Sequence, residues 1–197
     1  MIASFRLAVL GLLAAAFAAA SPGFAQGEVA NPPDPYLHRA VGIAFPAEAD
    51  GFDRIRVYEF DAQGSDAAIV YGPSGQAGDM SLYVYPASGV SCKDHFDLAS
   101  DAILERNGQL LFGDSVFSIP EFGTAKQLSA EYRIPPNGFG SQHPELVSYL
   151  WVGCPSGSNW MVKYRGSFPA TDEVKAIGRA RKIFAAIDWT PLTGNSD

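Results

Sequence analysis

Little in this chain is of the kind that marks a known chemistry. It has only two cysteines, Cys92 and Cys154, and three histidines, His38, His95 and His143. No pair of histidines has the H-x-x-x-H spacing of a helical metal site. No G-x-S-x-G elbow is present; Gly72-Pro73-Ser74-Gly75 does not match it. A phosphate-cradling P-loop is missing as well. These absences leave no catalytic residue, resident metal or cofactor to name. Basic residues are also few, 14 against 21 acidic. An acidic chain of this kind argues against nucleic acid or anionic lipid as the main partner.

Long apolar runs are scarce too. The one that exists covers residues 7–20, LAVLGLLAAAFAAA, after the single basic Arg6. It is short for a membrane span, and Gly23-Phe24-Ala25 follows it as a small-x-small cleavage site. Residues 1–25 are therefore expected to be an export signal, with a cut after Ala20 as the alternative. No cysteine stands near either cut, which argues against a lipid anchor. The mature chain is expected to be periplasmic or secreted, without a membrane span. Two cysteines in an exported chain most simply form one disulfide, Cys92 with Cys154.

What is present is β-pattern. Residues 26–37, with Pro32, Pro33 and Pro35, read as an extended or mobile lead-in, and 38–190 as one domain with a tail at 191–197; the chain from Asp188 onward is expected to be anchored at most by Trp189. Strands are expected at 41–45, 54–60, 67–71 and 80–85, joined by turn-rich links that imply antiparallel pairing. A helix at 91–107 starts at Ser91 with Asp94 three residues on, and stops at Asn107-Gly108. Its stripe is Phe96, Ala99, Ala102, Ile103 and Arg106. Strands follow at 110–117 and 124–134, then a Gly/Pro-rich loop at 135–144.

The centre of the pattern is 145–169. The strand 146–154 carries Val147, Tyr149 and Trp151 on one face and Leu146, Leu150, Val152 and Cys154 on the other, so it belongs inside a sheet. Pro155 to Asn159 make the turn, and 160–167 return. The phase of Cys154 places the first helix on the Leu150/Val152 face. A last helix, capped by Thr171, is expected to bury Val174, Ile177, Phe184 and Ile187, with Arg181 as the exception in that stripe. Its Lys175, Arg179 and Lys182 lie on an outer face. The fold class is α+β: a predominantly antiparallel sheet with helices packed on its faces.

Order and texture resemble the PsbP-like α/β/α sandwich superfamily. The carriers are Gly42-Ile43-Ala44-Phe45-Pro46, the Tyr-rich strand ending at Pro86, and the late hairpin ending Lys163-Tyr164-Arg165 before the final helix. The resemblance spans about residues 40–190. It implies an accessory or binding protein without chemistry, and transfers no functional residue.

Three functional expectations follow. The first is an exported, non-catalytic binding or accessory protein whose partner is a protein or a small anionic ligand. Lys163 and Arg165 project from one face of the return strand, and register places Arg165 opposite Ser148 or Tyr149, beside the 135–144 loop. Those two cations, His143 and the loop amides suit a carboxylate; alternatively Arg165 simply pairs with Glu145 or another acid of this acidic chain. The second is a thiol enzyme using Cys92 at a helix start with His95. The third is a weak divalent-metal site from Asp94, His95 and Asp97 with His143. The aromatics Tyr83, Tyr85, Tyr149, Trp151, Trp160 and Tyr164 fit either a groove or the core beneath the helices.

Overall fold

Alternation of large and small side chains sets nearly every strand. The structure is a computed structural model that describes residues 27–73, 78–113, 115–138 and 142–193. The expected export signal, 1–25, lies outside the described residues, as do the side chains of 172–176 and with them the expectations for Val174 and Lys175. The elements are β1 (Gly27–Glu28), β2 (Tyr36–Leu37), β3 (Ala44–Phe45), β4 (Glu48–Ala49), β5 (Phe52–Glu59), β6 (Ala67–Pro73), β7 (Asp79–Pro86), α1 (Cys92–Leu104), β8 (Gln109–Phe112), β9 (Lys126–Ile134), β10 (Leu146–Cys154), β11 (Trp160–Pro169), α2 (Glu173–Ala185) and α3 (Thr190–Thr193).

The main sheet runs β1-β5-β6-β7-β11-β10-β9-β8, with β4 added beside β5, and the pairings described are antiparallel. It is two meanders, β5-β6-β7 and β8-β9-β10-β11, sewn together where β11 pairs with β7. α1 is the link between them, and it packs on β9 and β10 of the second meander.

α1 begins as its sequence demands. The Ser91 hydroxyl accepts from the Asp94 amide at 3.2 Å and donates to the Asp94 carboxylate at 2.7 Å. It ends at Asn107, with φ of +63°, and the Gly108 amide returns to the Ile103 carbonyl at 3.1 Å. A Cβ on Gly108 would lie 2.6 Å from that carbonyl oxygen, so only glycine fits the turn. The buried stripe is narrower than expected. Cys92, Phe96 and Ile103 are buried, whereas Ala102 and Arg106 stand exposed along the flank of the helix. Phe96 and Ile103 pack with Leu150 and Val152, and the Tyr132 hydroxyl donates to Ser100 Oγ at 2.8 Å. Cys92 and Cys154 are joined as a disulfide.

The larger cluster gathers the alternate residues of the same strands. Tyr149 and Trp151 of β10, Val162 and Tyr164 of β11, and Leu82 and Val84 of β7 meet Ala180, Ile183, Phe184 and Ile187 of the α2 segment. Ile177 is only partly buried and Arg181 is exposed.

Four expectations are corrected. The lead-in is extended but docked: β1 pairs with β5, and Arg54 donates to the carbonyls of Pro33 and Phe45. The strand expected at 110–117 leaves the sheet after Phe112. Its Phe117, and Ile119 beyond it, turn into the core, and their backbone groups are met by Ser129 Oγ and the Gln127 side-chain amide instead of a ladder. At the start of α2, Thr171 lies within a 3-10 turn, Ala170–Asp172, and not at a simple cap. The chain past 187 is no loose tail. Trp189 is buried among Phe45, Phe122 and Phe184, its indole donates to the Phe184 carbonyl at 2.9 Å, and α3 adds Leu192.

His38 is fully buried, with Nε2 3.2 Å from the Val84 carbonyl and its ring edge-on to Trp160. Burial holds its pKa below the ordinary histidine value, against the carbonyl contact and the acids Asp61 and Glu59. The unfolded chain therefore binds the extra proton first as pH falls. The contribution of His38 is intact above about pH 6.5 and is lost below it, at up to about 1.4 kcal/mol per pH unit. Denaturant titrations of the wild type and His38→Gln at pH 7.5 and 5.5 should show the wild type losing more stability on acidification. Equal losses would mean that His38 does not titrate on unfolding.

Candidate functional site

The α1 face of the sheet is covered unevenly, because α1 sits on β9 and β10. Alternation brings Lys163, Arg165 and Ser167 of β11 to this face beside Tyr83, Ser81 and Asp79 of β7, which are their cross-strand partners. Lys163 and Arg165 thus lie at the seam of the two meanders, next to the exposed flank of α1. The hairpin register differs by one residue from the expected one, and Arg165 lies opposite Leu150. The reason is the turn. Trp160 pairs with Pro86, Asn159 gives its carbonyl to the Ala87 amide, and pairing with β10 begins only at Val162.

Two clefts open along the seam. The larger, of about 580 Å³, is lined by Arg165, Ser167, Asp79, Ser81 and Tyr83 of the sheet, Arg106 at the end of α1, and Gln142, His143 and Pro144 of the loop. His143 and Arg165 thus line the same cleft. Burial pushes the Asp79 carboxyl above the ordinary carboxylate range, while Arg56 and Arg165 pull it down. Glu145 forms its ion pair with Arg133, at 3.5 Å.

Lys163 belongs to the second cleft, of about 390 Å³, with Phe60, Asp66, Tyr83, Tyr85, His95, Leu98, Ala99 and Ala102. Its ammonium lies 3.9 Å from the centre of the Tyr83 ring. Burial, with Arg165 beside it, holds the Lys163 pKa below the ordinary lysine range, and Asp66 opposes this. The expected cation pair is thus split by Tyr83, which lines both clefts. Of the expected aromatics, Tyr149, Trp151 and Tyr164 are core and Trp160 is partly buried against it. Tyr83 and Tyr85 are the two that face a cleft.

The other expected constellations are not assembled. With Cys92 bonded to Cys154, His95 has no thiol beside it; its Nε2 lies 3.1 Å from the Ala87 carbonyl and its ring stacks edge-on against Tyr85. Asp94 is held by Ser91, and Asp97 by Lys93 at 2.7 Å. Among the described residues no three His, Cys, Asp or Glu side chains converge as a metal group. A third hollow, of about 240 Å³, lies between Pro120–Phe122 and Pro155, with Glu121 as its ionisable side chain.

Sequence reasoning missed Arg106, Asp79 and Asp66. Arg106 carried a usable signal, since it follows directly on the C-cap of α1, on the same flank as Ala99 and Ala102. The pairing of β11 with β7 brings in Asp79 opposite Ser167, and that of β6 with β7 brings in Asp66 just before Ala67; neither left a local trace in the chain. The chain matches no known family model and no curated protein sequence. Among the described residues no helix is long and apolar enough to cross a membrane.

Proposed function

We propose that this is an exported, non-catalytic binding or accessory protein whose larger cleft receives a small anionic, carboxylate-bearing ligand. The observation that carries the reading is the convergence of Arg165, Arg106 and His143 from a strand, a helix end and a loop on one cleft of about 580 Å³. Two guanidiniums and an imidazole from three elements suit carboxylate recognition better than a solvated face does. Asp79 at the rim disfavours a multiply charged anion and favours a single carboxylate.

A periplasmic or secreted location is part of the proposal. It is supported by the Cys92–Cys154 bond, which persists in oxidising compartments, and by the apolar N-terminal run. So is a PsbP-like sandwich. Its support is the strand-helix-strand-helix order, with α1 clustering on Leu150 and Val152 and α2 on the alternate Tyr149 and Trp151.

Amide-shift titration of the isotopically labelled protein with acetate should move resonances of β7, β11 and the end of α1. Arg165→Gln should weaken the binding about 10-fold or more, the scale of one charge-assisted contact. Unchanged affinity in a folded Arg165→Gln protein would remove the cleft from consideration. A periplasmic pull-down with Lys163 and Arg165 both changed to Gln reads the protein-partner version of the same site.

A further inference from the structure

The two clefts lie in line along one wall. His95, Leu98, Ala99 and Ala102 flank the second cleft and Arg106 the first, and all five stand on the same flank of α1. From His95 to Arg106 the helix rises about 16 Å. The floor changes character along that length. At one end are Tyr85, Tyr83 and the Lys163 stem, with Phe60 opposite. At the other are Arg165, Ser81, Ser167 and Asp79, with Ile55 and Leu146 at the edge. Tyr83 is common to both, so its ring is the threshold between an apolar half and a cationic half. Leu98, 65 % exposed, is a large apolar side chain at the lip of the apolar half.

From this we infer that the ligand class is an amphipathic monocarboxylate, with its head at Arg165 and Arg106 and its apolar tail crossing Tyr83 to lie along Leu98, Ala99 and Ala102. The inference rests on the proposed carboxylate site and adds the tail. Charge complementarity sets the direction. At the Arg106 end two guanidiniums, Arg165 and Arg106, face one carboxylate, Asp79, whereas Lys163 is held over Tyr83 and matched one to one by Asp66. A dicarboxylate would bring its second charge onto an apolar wall, next to Asp66. A purely apolar ligand would leave the cationic half unused.

The test is a calorimetric or amide-shift titration of the full mature chain with acetate, hexanoate, octanoate and 3-phenylpropionate. If the tail binds as described, affinity rises along the alkyl series by about two- to fourfold per methylene until the second cleft is filled. Shifts then spread from β11 and Arg106 to Leu98, Ala99 and Tyr85. A double change, Leu98→Gln with Ala102→Gln, places helix-favouring polar residues at two exposed positions. It should abolish the gain with tail length and leave acetate binding as it was. Arg106→Gln, also exposed, should weaken every probe alike. Comparing octanoate with phenylpropionate tells an alkyl from an aryl tail.

Failure separates cleanly. If acetate binds and longer acids bind no tighter, or if the double variant keeps the full gain, the tail site is wrong and the carboxylate site stands. If neither acetate nor octanoate binds the folded protein, both are wrong.

Discussion

Phe184→Ala is expected to destabilise the protein by about 3–5 kcal/mol. Phe184 is fully buried, and its ring meets Trp151 at 5.0 Å, Trp189 at 5.3 Å, Tyr164 at 5.8 Å and Phe122 at 6.0 Å between centroids. These rings come from β10, the C-terminal segment, β11 and the turn before β9. Truncation leaves a cavity that none can close alone, because each is held by its own neighbours. Trp189 would also lose a ring contact beside the carbonyl that its indole bonds, since that carbonyl belongs to residue 184. Equilibrium urea unfolding measures the effect. As a control, Leu98→Ala, exposed on the other helix, should fall within about 0.5 kcal/mol of wild type. A Phe184→Ala loss below 1 kcal/mol would mean the aromatic cluster does not hold α2 to the sheet.

Removing the disulfide should have a comparable effect. Cys92 and Cys154 are 62 positions apart, and a loop of that length confers about 4 kcal/mol in the chain-entropy description. Cys92→Ala with Cys154→Ala should therefore lower stability by about 2–5 kcal/mol, since native bridges of exported domains fall in that range. The bond ties the first turn of α1 to the end of β10, where Phe96 and Ile103 supply the buried large side chains of the helix. Without it, α1 is the element expected to loosen first, and hydrogen exchange should show that as lost protection in Cys92–Leu104 before the β-sheet. Thiol counting on the unreduced, denatured protein should find no free thiol. Two free thiols, or a double variant as stable as wild type, would contradict the bridge.

The candidate site lies on the α1 face of the sheet, the face that the disulfide supports. α1 covers β9 and β10 because Phe96 and Ile103 have partners there, in Leu150 and Val152. It reaches β7 at His95, edge-on to Tyr85, and beyond that its flank offers Leu98, Ala99 and Ala102, which leave the rest of the strip open. The uncovered strip of sheet is therefore a consequence of the same residue pattern that fixes the helix. A variant that disturbed α1 would disturb the cleft, so the binding tests use exposed positions on its flank.

Local physics made much of the fold legible in the sequence. Period-two alternation in β5, β7, β9 and β10 marked them as strands, because one-residue shifts would exchange buried and exposed faces. Ser91, Asp94 and Gly108 marked the ends of α1 because they satisfy helix-end groups with side chains or positive φ. The phase of Cys154 with Leu150 and Val152 was enough to place α1 on that face. What depended on distant neighbours was not legible. Trp160 left the hairpin register to pair with Pro86, so Arg165 came to lie opposite Leu150 and not Ser148 or Tyr149. Phe117 looked like the end of a strand, yet Ser129 offered its backbone another partner, as Gln127 did for Ile119 just beyond, and the core took both side chains. Trp189 looked like the last anchor of a loose tail until Phe45 and Phe122 enclosed it. The cation pair at 163 and 165 was a statement about one strand, and only the pairing of β11 with β7 decided that Tyr83 would stand between them. Alternation and capping act over a few residues and can be read from the chain. Which strands meet, and what a helix leaves uncovered, is settled by packing between segments that the chain does not place side by side.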